Sequence, residues 1–157
     1  MAISSYKVYL MGEGANSAWA KLVNVKDYPD IGGAPEMLDT TTLSDKNRTY
    51  IPGIQENESM TFTANYTKDD FDMLYALRGK LCGYAVWFGA TESNGTVTPD
   101  GHEGKYAFGG YLDVYVNGAG VNEVVNMTIT IAPATELSVT GTIDWSSVTE
   151  EHEPITP

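Results

Sequence analysis

The stretch "SMTFTANYTKDDFDMLYALR", residues 59–78, changes its period halfway through. In the first half Met60, Phe62, Ala64 and Tyr66 alternate with Thr61, Thr63 and Asn65. That period of two belongs to a strand with one buried face. From Thr67 onward, Phe71, Leu74, Tyr75 and Arg78 follow helical spacing. Thr67 suits an N-cap, and Asp70, three residues later, makes a short-armed capping box. Asp69, Asp70 and Asp72 crowd the first turn, where the helix dipole favours negative charge. Three neighbouring aspartates also raise the question of a metal, but a helix N-terminus accounts for them without one. The pattern predicts a strand followed by one helix over residues 68–80, ended by Gly79 or Gly83.

Working outward, the remaining patterns are strands. Residues 6–11, 18–29 and 83–90 have strand composition. Residues 105–118 form a long strand whose Gly109-Gly110 pair suggests a bulge or bend. In residues 121–137, Val125, Met127, Ile129 and Ile131 face one way and Asn126, Thr128 and Thr130 the other. A last strand is expected over 137–143, and residues 91–104 are expected to be a polar loop. The expected fold is therefore mainly β, an antiparallel β-sandwich or barrel with one flanking α-helix. Residues 1–147 form its single domain. Residues 148–157, with Glu150, Glu151, Glu153, Pro154 and Pro157, suit a loose acidic tail.

Composition narrows the function. The chain has 157 residues, of which 42% are apolar, enough for one globular domain with a core. It carries 21 acids against 9 bases, a net charge of −12, and no Lys or Arg follows Lys105. Reading nucleic acid or docking on anionic lipid needs a basic footprint that this chain lacks. Acidity also serves plain solubility. Cys82 is the single cysteine, so no internal disulfide forms. The N-terminus has no apolar run of signal-peptide length, and no window approaches the roughly 20 apolar residues of a membrane span. Synthesis and folding in a cytoplasm are expected.

No catalytic motif is present. Asp100, His102 and Glu103 could hold a cation, but a flexible Gly- and Asp-rich loop is the commoner explanation. His152 lies among acids and is expected to be solvated. No metal, cofactor or enzymatic activity is expected. Trp19, Trp87 and Trp145 could form a sugar platform, making a monomeric carbohydrate-binding β-sandwich the alternative reading. Strand aromatics more often pack in cores or against cross-strand neighbours.

One segment resists a simple reading. "LDTTTLSDKNRTYIPGI", residues 38–54, is crowded with turn formers, yet Leu38, Leu43, Tyr50, Ile51 and Ile54 punctuate it. These side chains are buried either on their own domain, as in an Ω-loop, or in another molecule. Together with Pro35, Phe62, Thr63, Asn65, Tyr66 and the helix that follows, this stretch resembles the major tail protein, or tail tube protein, of long-tailed bacteriophages with non-contractile tails. The later stretch "VNEVVNMTITIAPATEL" is similar to that family's penultimate strand region, and residues 91–104 match no motif of it.

The resemblance implies a β-sandwich with a flanking helix. Six copies would form a ring with a continuous inner barrel, and rings would stack into a tube that conducts DNA during ejection without binding it specifically. The loop at about residues 30–56 would be an assembly loop, with Leu38, Leu43, Arg48, Tyr50, Ile51, Pro52 and Ile54 against neighbouring subunits. Thr61, Thr63, Asn65, Asn126, Thr128 and Thr130 would line the lumen, with Asp113 and Glu123 lending it negative charge. On their residues alone, these polar faces could equally meet bulk water. Further partners would be the tape measure, distal tail or baseplate, and tail terminator proteins. The location would be the virion tail, assembled in the bacterial host cytoplasm, with no membrane partner.

Overall fold

The computed structural model describes residues 7–32, 37–53, 58–146, 148 and 151–155. Nine strands and one α-helix occur among them: β1 (Val8–Glu13), β2 (Trp19–Val23), β3 (Val25–Asp27), β4 (Met37–Asp39), β5 (Tyr50–Pro52), β6 (Met60–Asn65), α1 (Lys68–Ala76), β7 (Leu81–Ser93), β8 (Thr96–Val116) and β9 (Asn126–Pro133). The fold is mainly β and antiparallel, as the alternation predicts. Tyr6 lies outside the described residues.

Seven strands form one sheet in the order β2-β1-β7-β8-β9-β6-β3. The two outermost strands, β2 and β3, are separated in the chain by Asn24 alone. One residue spans at most a few ångströms, so the sheet must roll until its edges meet. The continuous strand expected over residues 18–29 is thus two strands at opposite edges. Rolling encloses a core of Leu10, Phe62, Ala64, Tyr84, Val86, Phe108, Leu112, Met127, Ile129 and Ile131. These are the inward positions of period-two strands, and each buried aliphatic of this size contributes about 1.5–3 kcal/mol.

Helix α1 starts as its sequence requires. The Asp70 backbone N–H donates to Thr67 Oγ1 at 3.3 Å, and Asp69 and Asp70 occupy the first turn. Asp72 pairs with Lys68 across one turn at 3.2 Å. The helix ends at Ala76, earlier than expected, and Gly79 takes a left-handed φ of 80° just beyond it. Leu74 and Leu77 bury its inner face in the core.

Two expectations about the middle of the chain are overturned. Residues 91–104 are not a loop: β7 and β8 pair through Thr91↔Thr98, Glu92↔Val97 and Ser93↔Thr96 as a long hairpin. Asn94 and Gly95 make its turn with φ values of 50° and 78°, the left-handed pair that a two-residue hairpin turn favours. Nor is there a bulge at Gly109-Gly110, where the ladder is regular. The register shift lies between Phe88 and Ala90, where Gly89 has φ 104°.

The glycines near 109 serve packing instead. The outer face of β1, β7 and β8 carries a second apolar cluster of Met11, Ala85, Trp87, Ala107 and Ile143, with Tyr9, Trp19 and Trp145 against it. A Cβ on Gly83 would lie 2.8 Å from Ile143 Cδ1, and one on Gly109 would run into the Trp145 ring. These bare backbones are seats for the C-terminal segment. That segment is no regular strand: residues 137–143 pair with the sheet backbone through one isolated bridge, Ala107↔Ser138.

The expectation of a loose tail is also corrected. Ile155 is 4% exposed and belongs to the main core. Its N–H donates to Glu13 O at 3.0 Å, and Glu153 N–H donates to Leu81 O at 2.8 Å. His152 is not simply solvated but stacks on Trp145 at 3.9 Å. An isoleucine in a segment with two backbone anchors is held by the apolar area it removes from water, whatever the acidity around it. Glu150 and Pro157 lie outside the described residues.

Candidate functional site

The segment around residues 37–53 is a separate two-stranded arm. β4 and β5 pair through Met37↔Pro52, Leu38↔Ile51 and Asp39↔Tyr50. Its polar residues build the turn. Asp39 accepts from Thr41 N–H at 2.9 Å, and Asp45 accepts from Thr42 N–H at 2.7 Å. Thr49 N–H donates to Thr41 Oγ1 at 2.9 Å, and Thr40 N–H donates to Thr49 O at 2.9 Å. Short hydroxyl and carboxylate side chains satisfy local backbone groups in this way. Arg48 reaches Asp39 at 3.4 Å.

The apolar residues of the arm find no such partners. Met37, Leu38, Leu43, Tyr50 and Ile51 are 58%, 46%, 109%, 52% and 50% exposed, and Pro52 is exposed too. Packing on its own domain therefore fails as an account of these side chains. Ile54 and Pro35 lie outside the described residues.

The second surface is the outer face of β6, β9 and the end of β8. Cross-strand rows run Thr61↔Thr130↔Asp113, Thr63↔Thr128↔Tyr115 and Asn65↔Asn126. One continuous polar face thus gathers Thr61, Thr63, Asn65, Asp113, Asn126, Thr128 and Thr130. Thr128 is only 6% exposed, because Asn117 covers it and accepts its hydroxyl hydrogen bond at 2.7 Å. Glu123 stands apart, in the connection between β8 and β9, where it accepts from Gly120 N–H at 2.9 Å.

Two cations temper the charge of this face. Arg78 Nε lies 3.2 Å from Asp113 Oδ1, and Lys26 Nζ donates to Asn126 Oδ1 at 3.2 Å. Neither was singled out for this face from sequence, since each arrives from a distant element. Tyr115 was missed too, although its period-two spacing from Asp113 marks it.

The remaining candidates resolve into local structure. His102 bridges two carboxylates, with Nδ1 2.6 Å from Asp100 and Nε2 3.4 Å from Glu103. Hydrogen bonds from the Thr91 hydroxyl and His102 hold Asp100 down at about 2, and Asp100 in turn raises the His102 pKa. No group of three or more metal-ligating side chains converges among the described residues. Trp19 and Trp87 are tilted by 50° and Trp87 is buried, so they present no flat platform for a sugar. No helix among the described residues is long and apolar enough to cross a membrane.

No curated protein sequence matches the chain. Solved structures share its fold at low identity. A chain from the tail of an empty GTA particle, refined with C6 symmetry, superposes with a TM-score of 0.62 at 13% identity, covering 88% of this chain and 98% of that one. The SPP1 tail tube gives 0.60 at 16% identity, covering 96% and 87%. A chain from the sheath/tube terminator of an extracellular contractile injection system gives 0.61 at 9% identity, covering 88% and 96%. The model of the lambda-like phage tail tube family, TTP, matches residues 3–142. With nearly the whole domain inside that match, the chain belongs to the lambda-like phage tail tube family and is a structural subunit of a virion tail.

Proposed function

We propose that six copies close into a ring, and that rings stack into a hollow tube through which DNA passes during ejection. The observation that carries this reading is the arm, a hairpin held together by its own turn chemistry while five large apolar side chains face solvent. An isolated two-stranded hairpin is marginal in water, and an exposed apolar surface of this kind marks a contact with another molecule. In the proposed tube, Leu38, Leu43, Arg48, Tyr50, Ile51, Pro52 and Ile54 meet neighbouring copies. The polar face of Thr61, Thr63, Asn65, Asn126, Thr128 and Thr130 lines the channel, with Asp113 at its edge and Glu123 near it.

The six-fold tail with a similar chain supports the ring. Similar folds in a sheath/tube terminator and in a six-fold baseplate support contacts with terminator and distal tail or baseplate proteins at the tube's ends, and a tape measure protein would fill the tube in the same reading. A net charge of −12 suits a conduit that must not hold DNA. Negative-stain imaging of the concentrated protein, alone and with its tail-tip initiator, tests the proposal. Rings and tubes of uniform diameter are expected. A protein that stays monomeric at millimolar concentration with the initiator present overturns it.

A further inference from the structure

An open cleft of about 610 Å³ is lined by Asp27, Tyr28, Pro29, Asp30 and Ile31, which precede the arm in the sequence, together with Phe88, Glu103 and Tyr106. Its floor is aromatic. Tyr28 meets Phe88 edge-on at 5.8 Å, and Phe88 meets Tyr106 edge-on at 5.7 Å. Its rim is acidic. Glu103 already faces His102, whereas Asp27 and Asp30 have no ion pair with any described residue. Ring faces beside carboxylates suit a cationic side chain, which gains both the π-face attraction and the opposite charge.

Among the described residues one cation has no side-chain partner of any kind. Lys7 pairs with Glu92, Arg48 with Asp39, Lys68 with Asp72, Arg78 with Asp113 and Lys80 with Glu153. Lys21 and Lys26 donate to Asn24 and Asn126, and Lys105 lies over the Trp87 ring at 4.3 Å. Among the described residues Lys46 alone has no ion pair, no side-chain hydrogen bond and no ring contact. It stands near the turn of the arm, three residues after the fully exposed Leu43.

We propose that the arm of one copy docks in the cleft of a second copy, with Lys46 seated between Asp27 and Asp30 against the Tyr28 and Tyr106 rings. This rests on the assembly reading above and assigns the receiving site within it. A cation with no side-chain partner among the described residues, on an exposed apolar arm, and an aromatic cleft whose Asp27 and Asp30 have no ion pair among those residues are complementary surfaces of the same chain. The pairing would also fix the partner's register, since a misplaced arm would leave Lys46 against apolar surface.

Charge exchange tests it. Lys46→Glu is expected to raise the critical concentration for tube growth, read by pelleting and light scattering, by about tenfold or more, the scale of one lost charged contact. Asp27→Lys with Asp30→Lys should do the same. The combined variant should return to within about threefold of the parent, and all three should keep the parent's far-ultraviolet circular dichroism and thermal midpoint. Unchanged growth of Lys46→Glu, or no recovery in the combined variant, overturns the proposal.

A Lys46→Cys, Asp30→Cys pair in a Cys82→Ala background gives the direct readout. A disulfide joining two chains is expected on a non-reducing gel, and one closing within a single chain contradicts the assignment. If the parent protein forms no tubes at all, the assembly reading fails and takes this inference with it. If tubes form and the exchange has no effect, the docking assignment alone falls.

Discussion

Gly109 illustrates what a single residue contributes here, because its role lies in the side chain it lacks. The Trp145 ring occupies the space a Cβ would take, and Thr135 both caps the Gly109 N–H at 2.8 Å and flanks the same spot. Gly109→Ala must displace either the ring or the strand, and overpacking of this kind costs about 1–3 kcal/mol. Urea denaturation followed by tryptophan fluorescence should show that loss. The pair Asp100 and His102 gives a pH-dependent counterpart. His102 is raised above its ordinary 6.5, so its contribution is present below 6.5 and is lost as pH rises through the raised value. Asp100 is lowered, so its contribution is present above 3.8 and is lost as pH falls toward about 2. Local order of the β7–β8 hairpin should therefore be greatest between those limits. An NMR titration of His102 should report a midpoint above 6.5 that Asp100→Asn brings back down. At this scale the sequence is informative where the cause is local: Thr67 announces its cap, while nothing beside Gly109 announces a tryptophan from the far end of the chain.

Elements separate into those that hold the body and one that stands off from it. Replacing residues 40–50 of the arm by a short Gly-Ser linker should leave the sheet folded, since loop length alone costs little and the exposed arm residues contribute little to the core. Circular dichroism and the thermal midpoint should stay close to the parent while tubes disappear. A variant that unfolds would place the arm in its own domain's core. The C-terminal segment should behave in the opposite way. Deleting residues 147–157 removes Ile155 from the core, both backbone anchors and the Lys80–Glu153 pair at 3.7 Å. A loss of about 2–5 kcal/mol is expected, the range for emptying one buried aliphatic site. Calorimetry showing an unchanged midpoint would contradict the anchoring described here. Alternation reveals strands such as β6 and β9, and the change of period reveals α1, because both are repeated local patterns. The β7–β8 extension was missed although Asn94-Gly95 is a hairpin signal, because polar residues on both sides of it mimic a loop. The tail was missed because one isoleucine among acids forms no pattern at all.

For the whole molecule, the question is which surface DNA would meet in the proposed tube. The face built by β6, β9 and the end of β8 is mostly Thr and Asn; the charge of Asp113 is offset by Arg78, and the Lys26 ammonium is held against the sheet by Asn126. A wall of that kind neither grips phosphate nor relies on a dense row of acids. Any repulsion from the chain's remaining net charge would act within a Debye length of about 10 Å at ordinary salt. Adding a cation to this face should therefore convert a neutral passage into a retentive one. Thr63 and Thr128 sit opposite each other on adjacent strands, so sequence alone treats them as equivalent sites for that change. Their surroundings differ. Thr63 is half-buried, whereas Thr128 lies under Asn117 with its hydroxyl engaged. Thr128→Lys would displace Asn117 and loosen the β8–β9 connection, so it is expected to lower stability before any effect on DNA can be seen. Thr63→Lys can extend its ammonium to solvent along the sheet and should fold and assemble normally. Phages carrying Thr63→Lys should eject DNA poorly. Raising salt should partly restore ejection, since each added phosphate contact weakens as salt rises. A Thr63→Lys tail that ejects at the parent's rate in low salt would remove this face from the channel.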